Sequence, residues 1–139
     1  MRREEGFTLI ELMIVLAIII ILAAVGIGQY KKYTERAKAK QLVELARNCF
    51  MDLLAECQLK DKITNAPENC NLSKTKYFNS VTWYFNSDSQ GFREITCSNL
   101  NGGTYYIKVK GTPQGSTKSY NGTCTFNATT KDLSCEIEG

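Results

Sequence analysis

One carboxylate stands in an otherwise apolar stretch of this chain, and six thiols are spread through the rest of it. Glu11 follows Phe7-Thr8-Leu9-Ile10 and precedes an apolar run that continues to Gly28. A lone ionised carboxylate in hydrocarbon costs about 2.5–3.5 kcal/mol on insertion scales, so a glutamate there is functional by default and calls for a cationic partner. No Lys or Arg lies between Phe7 and Gly28. An amino terminus made by cutting the chain just ahead of Phe7 would supply the missing charge. The six cysteines, Cys49, Cys57, Cys70, Cys97, Cys124 and Cys135, form an even set without a C-x-x-C pair. Both the close-spaced thiolates of a zinc knuckle and the dithiol of a thioredoxin-like site are therefore missing, and disulfides in an oxidising compartment are the expected chemistry. The chain has no histidine, which excludes hydrolase triads and His-containing zinc sites. No glycine-rich phosphate loop or paired-carboxylate constellation stands out. These residues point to no enzyme, no metal and no cofactor.

The elements that must position Glu11 and the cysteines follow from periodicity. Phe7 to Gly28 covers about 22 residues, or about 33 Å of helix, against about 30 Å of bilayer hydrocarbon. From Gln29 to about Lys60 neither proline nor glycine occurs. There Leu42, Leu45, Ala46, Cys49, Phe50, Leu53, Leu54 and Cys57 recur at three- and four-residue steps, the mark of one buried helical stripe. Glu35, Lys38, Glu44, Arg47, Asp52 and Glu56 occupy the opposite face. Joined together, residues 7–28 and 29–60 make a helix of about 54 residues and about 80 Å. A domain of this size cannot bury such a rod, so one half packs on membrane or other subunits and the other on its own head.

Residues 61–80 are polar, contain Pro67 and Cys70, and read as a loop. Beyond them the period shifts to two. Residues 81–85, 92–97, 105–110 and 121–126 are rich in aromatic and β-branched side chains and bounded by Gly and Asn. Asn101-Gly102-Gly103 signals a turn between the second and third of these. A last hairpin pairs 121–126 with 133–137 around Thr129-Thr130, which sets Cys124 opposite Cys135 and permits a bridge between them. Cys49 and Cys57 lie about 12 Å apart along one helix and cannot bridge each other, so each reaches a different segment. Cys57–Cys70 across the loop, leaving Cys49–Cys97, is one choice among the many pairings that six cysteines allow. The expected class is α+β: a long N-terminal helix, its apolar half protruding and its amphipathic half packed on a small antiparallel sheet, in a disulfide-stapled head spanning 61–139.

The stretch Gly6-Phe7-Thr8-Leu9-Ile10-Glu11, followed by apolar residues, resembles the class III signal of type IV prepilins and pseudopilins. The resemblance rests on about 30 residues and no motif is recognisable beyond Tyr33. It implies that residues 1–6 are a leader, that a prepilin peptidase cuts between Gly6 and Phe7, and that Phe7 is then N-methylated. It also implies that Glu11 meets the Phe7 amine of a neighbouring subunit as copies assemble into a helical filament. Where water is scarce a charge pair is far stronger than at a surface, so such a pair selects one stagger between helices. An assembly ATPase and a membrane platform are the further partners implied, and the source implied is prokaryotic. Many type IV pilins carry a helix-breaking proline near the end of the apolar half, where this chain has Gly26 and Gly28. Each glycine costs about 1 kcal/mol of helix propensity against alanine without removing a donor, so local melting and close packing through small residues both stay open. Three other readings compete: a secretory signal peptide, which Glu11 would interrupt; a plain membrane anchor; and a buried helix of a soluble domain, which rarely lacks a polar face over five turns.

Composition sets further bounds. At 139 residues the chain holds one modest domain beside its helix, and its net charge of +3 is too weak to argue for nucleic acid. Loss of residues 1–6 removes Arg2, Arg3, Glu4 and Glu5, which cancel. Lys31, Lys32, Arg36, Lys38 and Lys40 follow the span while Arg2 and Arg3 precede it, so counting basic residues alone puts the carboxyl side inside. Disulfides do not persist in a reducing cytosol, and together with the leader they point that side outward: a single-pass inner-membrane precursor, then a surface filament. The same basic run could bind DNA or lipid headgroups, and otherwise serves as a snorkelling belt with Tyr30 and Tyr33 at the membrane boundary. Asn71-Leu72-Ser73, Asn121-Gly122-Thr123 and Asn127-Ala128-Thr129 fit the N-glycosylation pattern, which chance also produces. The function expected is a structural filament subunit, through which adhesion, motility or DNA uptake would act. The rivals are a pseudopilin of type II secretion and a minor tip pilin that adheres or captures DNA.

Overall fold

The structure is a computed structural model describing residues 6–139, so the expected leader residues Arg2, Arg3, Glu4 and Glu5 lie outside the described residues. One helix, α1, runs from Leu9 to Cys57. It starts after Thr8, which caps it, and ends three residues short of Lys60, where the Leu59 and Lys60 amides both turn back to the Glu56 carbonyl. It continues through Gly26 and Gly28, around which there is open space. Two compact units are distinguished, Met1–Thr34 and Glu35–Gly139.

In the first unit the described residues are almost all exposed, from Gly6 through Tyr33. In the second, Ala39, Leu42, Leu45, Ala46, Cys49, Phe50 and Leu53 of α1 are buried, and Leu54 and Cys57 are half-buried. The stripe expected from periodicity is thus the face that docks on the sheet, extended one turn earlier by Ala39. Each large apolar side chain in it contributes about 1.5–3 kcal/mol by leaving water.

The sheet is antiparallel and four-stranded, in the order β2-β4-β5-β6, with β2 at Phe78–Phe85, β4 at Thr104–Pro113, β5 at Tyr120–Asn127 and β6 at Asp132–Glu138. Tyr105, Ile107 and Val109 of β4 are buried while Tyr106, Lys108 and Lys110 are not, so the period-two reading assigns each residue to its face. A helix stripe on one side of an antiparallel sheet, with the other side polar, is the α+β arrangement expected. At one point the two layers nearly touch: a Cβ built on Gly122 would stand 2.6 Å from the backbone of Leu42 and Val43.

Two segments depart from the sequence reading. The expected strand over 92–97 is cut to β3, Ile95–Thr96, and Cys97 already begins a short helix, α2, Cys97–Asn101. Its partner is the reason: β3 pairs only with β1, Lys62–Ile63, inside the expected loop, and a two-residue strand can support no longer ladder. Gly102 and Gly103 then end α2 and lead into β4. The loop also contains a 3₁₀ turn, Glu68–Cys70, and surrenders its last residues to β2.

The disulfides correct one expectation and match another. Cys124 is bonded to Cys135, its cross-strand partner in the β5–β6 register. The other two exchange partners relative to the expected choice: Cys49 is bonded to Cys70 and Cys57 to Cys97. After α1 the chain reverses and runs back along the helix, so its 3₁₀ turn meets α1 about two turns before its C-terminal end, at Cys49 and Asp52. Asn69 Nδ2 donates to Asp52 Oδ2 at 2.7 Å there. Cys97 is brought instead to the helix end, because β3 pairs with β1 and the Cys97 amide donates to the Asp61 carbonyl. Proximity in sequence was the wrong guide; the return direction of the loop decided the pairing.

Candidate functional site

The charged residue inside the apolar stretch sits in the first turn of α1. Thr8 is the cap: its Oγ1 accepts the Glu11 amide at 3.2 Å, while the Thr8 amide donates to Glu11 Oε2 at 3.3 Å. This is a capping box, in which the first and fourth residues each satisfy an orphan donor of the other. The Thr8-x-x-Glu11 spacing carries that signal in the sequence, beside the placement of Glu11 among apolar residues. A carboxylate at this end also complements the partial positive charge of the helix N-terminus. The box turns Glu11 back toward the start of the helix, the end at which Phe7 stands. Gly6 and Phe7 are exposed, Phe7 at 82%, and nothing within 4 Å of Gly6 would obstruct a side chain there.

Around this carboxylate the helix offers apolar surface on every side. Leu9, Ile10, Met13, Ile14, Ile18, Leu22, Val25 and Ile27 are all exposed. Contiguous apolar patches of this extent are rare on monomeric soluble proteins and mark a surface that something else covers. The helix is long and apolar enough to cross a membrane. Lys31, Lys32, Arg36 and Lys40 beyond it are exposed, as are Tyr30 and Tyr33. Lys38 is half-buried, with Nζ 6.0 Å from the Tyr77 ring centroid, and Glu35 accepts the Tyr120 hydroxyl at 3.3 Å. Burial and that carboxylate push the Tyr120 phenol up from its usual range. Of the three asparagines in glycosylation patterns, Asn71 is exposed, Asn121 Oδ1 is buried, and Asn127 Oδ1 accepts the Thr129 and Thr130 amides of the turn.

Comparison with known proteins bears on both ends of the chain. Residues 1–27 match the model of the prokaryotic N-terminal methylation motif. The chain is 35% identical over 136 residues to a fimbrial protein of Neisseria meningitidis serogroup B, covering 98% of this chain and 62% of that protein. It is 58% identical over 43 residues to a fimbrial protein of Pseudomonas aeruginosa, 31% of this chain and 28% of that one. It is 56% identical, also over 43 residues, to a type IV major pilin protein of Neisseria gonorrhoeae, 31% of this chain and 26% of the relative. The chain thus spans less than two thirds of the length of these relatives. No solved structure matches it.

Proposed function

We propose that this chain, which belongs to the type IV pilin family, is the structural subunit of an extracellular filament, made as a membrane-anchored precursor. Families of this kind supply structural subunits rather than catalysts. The observation that carries the reading is the N-terminal part of α1, residues 9–28, apolar and exposed throughout, with a single carboxylate, Glu11, held in its first turn. Lipid covers that surface in the precursor and neighbouring helices cover it in the fibre. Lipid tails and apolar side chains are similarly apolar, so hydrophobic transfer drives little of this exchange. Packing and charge must direct it.

In this reading a prepilin peptidase cuts between Gly6 and Phe7 and the new Phe7 amine is methylated. The ammonium of one copy pairs with Glu11 of another, and the capping box presents the carboxylate at the right end of the helix for that encounter. Residues 7–28 form the membrane and filament-core segment, 29–60 the half of the helix that carries the head, and 61–139 the remainder of the head. The carboxyl side faces outward, where the three disulfides persist. An ATPase and a membrane platform drive extrusion. The likeness to the gonococcal type IV major pilin protein supports a fibre subunit over a secretion pseudopilin.

The test is to shear filaments from cells that make this chain and sequence the subunit's amino terminus. N-methylphenylalanine at Phe7 is the expected result. A subunit that begins at Val25, or one that keeps Met1–Gly6, overturns the reading.

A further inference from the structure

Basic residues from three distant segments gather at the end of the second unit where α1 enters it. Arg36, Lys38 and Lys40 come from the helix, Lys76 from the segment ahead of β2, and Lys118 from the turn between β4 and β5. Aromatic contacts and hydrogen bonds tie these segments together. Lys38 Nζ lies 6.0 Å and Lys76 Nζ 5.5 Å from the centroid of the Tyr77 ring, and Lys118 Nζ lies 5.4 Å from that of Tyr120. The Tyr120 hydroxyl donates to Glu35, the Thr75 hydroxyl donates to Gln41 Oε1 at 2.9 Å, and the Gln114 amide donates to the Tyr77 carbonyl at 2.8 Å. Rings beside the lysine stems hold them along the surface and keep the ammonium groups at the water boundary. Arg36, Lys40, Lys76 and Lys118 are exposed and Lys38 is half-buried. The acids nearest this end are Glu35, Glu44 two turns along α1, and Glu138 of β6, which stands opposite Asn121. Among the described residues the ion pair formed is Lys62–Glu94, and none of these basic groups enters one.

We propose that this basic end is a docking surface for anionic phospholipid headgroups, which holds the second unit against the outward leaflet until the subunit is drawn into the fibre. The group recognised is a phosphodiester, a compact negative charge that lysines bind as point charges. The chain's own length favours the bilayer as its source. Ten residues separate Gly28 from Lys38, and even fully extended they reach no more than about 36 Å. A bilayer that holds residues 7–28 is therefore always within reach, and a tethered encounter of this kind has an effective concentration of about millimolar. A polyanion in solution has no such advantage. Each lysine brought to an anionic surface is worth about fivefold in binding. The proposal rests on the anchored-precursor reading and adds what the head touches in that state. It also gives the basic residues that follow the span a partner on the outward side, where counting alone would not place them. Docking precedes assembly, so it makes no demand on how α1 packs in the fibre.

The test places the full ¹⁵N-labelled chain in lipid nanodiscs, either of phosphatidylcholine alone, which carries no net charge, or of phosphatidylcholine mixed with anionic phosphatidylglycerol. A trace of lipid with a paramagnetic headgroup broadens the amide signals that come close to it. Residues 36–41, 74–77 and 118–120 are expected to broaden in the anionic discs, to stay sharp in the neutral ones, and to recover when salt shortens the Debye length to about 3 Å. K38Q/K76Q/K118Q is expected to lower the docked-to-free ratio about a hundredfold, at about fivefold per lysine, with the near-ultraviolet dichroism of Trp83 unchanged. Signals that behave alike in the two kinds of disc, or a folded variant that broadens like the parent, overturn the proposal. Should the variant lose its fold, the lipid-charge and salt dependence of the parent decide. DNA retardation by the parent, with no difference between the discs, assigns the lysines to a polyanion and also overturns it. A chain that does not enter the discs removes the anchored-precursor reading instead, and the surface is then judged by sedimenting the free chain with phosphatidylglycerol or phosphatidylcholine vesicles. Capture by the anionic vesicles alone supports it, and equal recovery refutes it.

Discussion

Gly122→Ala adds one methyl group where β5 passes beneath α1. The new Cβ would stand 2.6 Å from Leu42 C and Val43 N, and 2.8 Å from Leu42 Cβ. Non-bonded carbons prefer about 3.5–4.0 Å, so the helix and strand must separate by nearly 1 Å. Two of the three obstructing atoms are backbone and cannot rotate aside. Ala39, Leu42 and Ala46 are fully buried, and all lose contact when α1 is lifted there. Overpacking of this kind costs about 1–3 kcal/mol, and the upper part of that range applies where no side chain yields. Replacing glycine lowers the entropy of the unfolded chain and returns about 0.4–1 kcal/mol, which leaves a net loss near 2 kcal/mol. Gly111→Ala is the internal comparison. Its Cβ meets Phe78 Cδ1 at 2.8 Å and Leu42 Cδ2 at 3.2 Å, both in side chains that can turn, so its cost is smaller. The assay is urea unfolding of the detergent-solubilised chain followed by near-ultraviolet dichroism of Trp83. A midpoint for Gly122→Ala within error of the parent, or above that for Gly111→Ala, would refute the argument from close approach.

Glu11→Ala is expected to insert into membranes like the parent but to give markedly less fibre; normal fibre yield removes the assembly role of this carboxylate. Disulfide losses should rank by the loop each closes: C57S/C97S, with separation 40, costs about 4 kcal/mol, and C124S/C135S, with separation 11, about 3 kcal/mol. The reverse ranking in denaturant titrations would show that the unfolded chain does not set these energies. Burial, with a smaller contribution from Tyr106, pushes the Tyr105 phenol up to about 12. The folded state then holds a proton that the unfolded chain releases near 10, so stability is complete below pH 10 and falls between pH 10 and about 12. Tyr105→Phe should weaken that fall while leaving stability at pH 7 little changed, and an unaltered alkaline slope would assign the loss to other groups such as Tyr120.

Local rules carried far in this chain because they needed no knowledge of distant partners. Apolar residues from Phe7 to Gly28 specify a helix surface with nowhere to hide, and three- and four-residue steps from Leu42 to Leu53 specify a buried stripe. Alternation along Tyr105–Lys110 assigned each side chain to a face, and the β5–β6 hairpin set Cys124 against Cys135, since a short turn leaves little freedom of register. The Thr8-x-x-Glu11 box was equally legible, being an interaction within one turn.

What sequence alone determined, then, was every feature whose cause lies within a few residues: helix, stripe, hairpin and the lone carboxylate at the helix head. Tertiary structure decided the partners of Cys49, Cys57, Cys70 and Cys97, the shortening of the 92–97 strand and the approach of Gly122 to α1. The first two depend on the direction in which residues 61–80 return along the helix. That path is chosen by the summed burial of Ile63, Cys70 and Phe78 against α1 and the sheet, a non-local energy that no window of neighbouring residues contains.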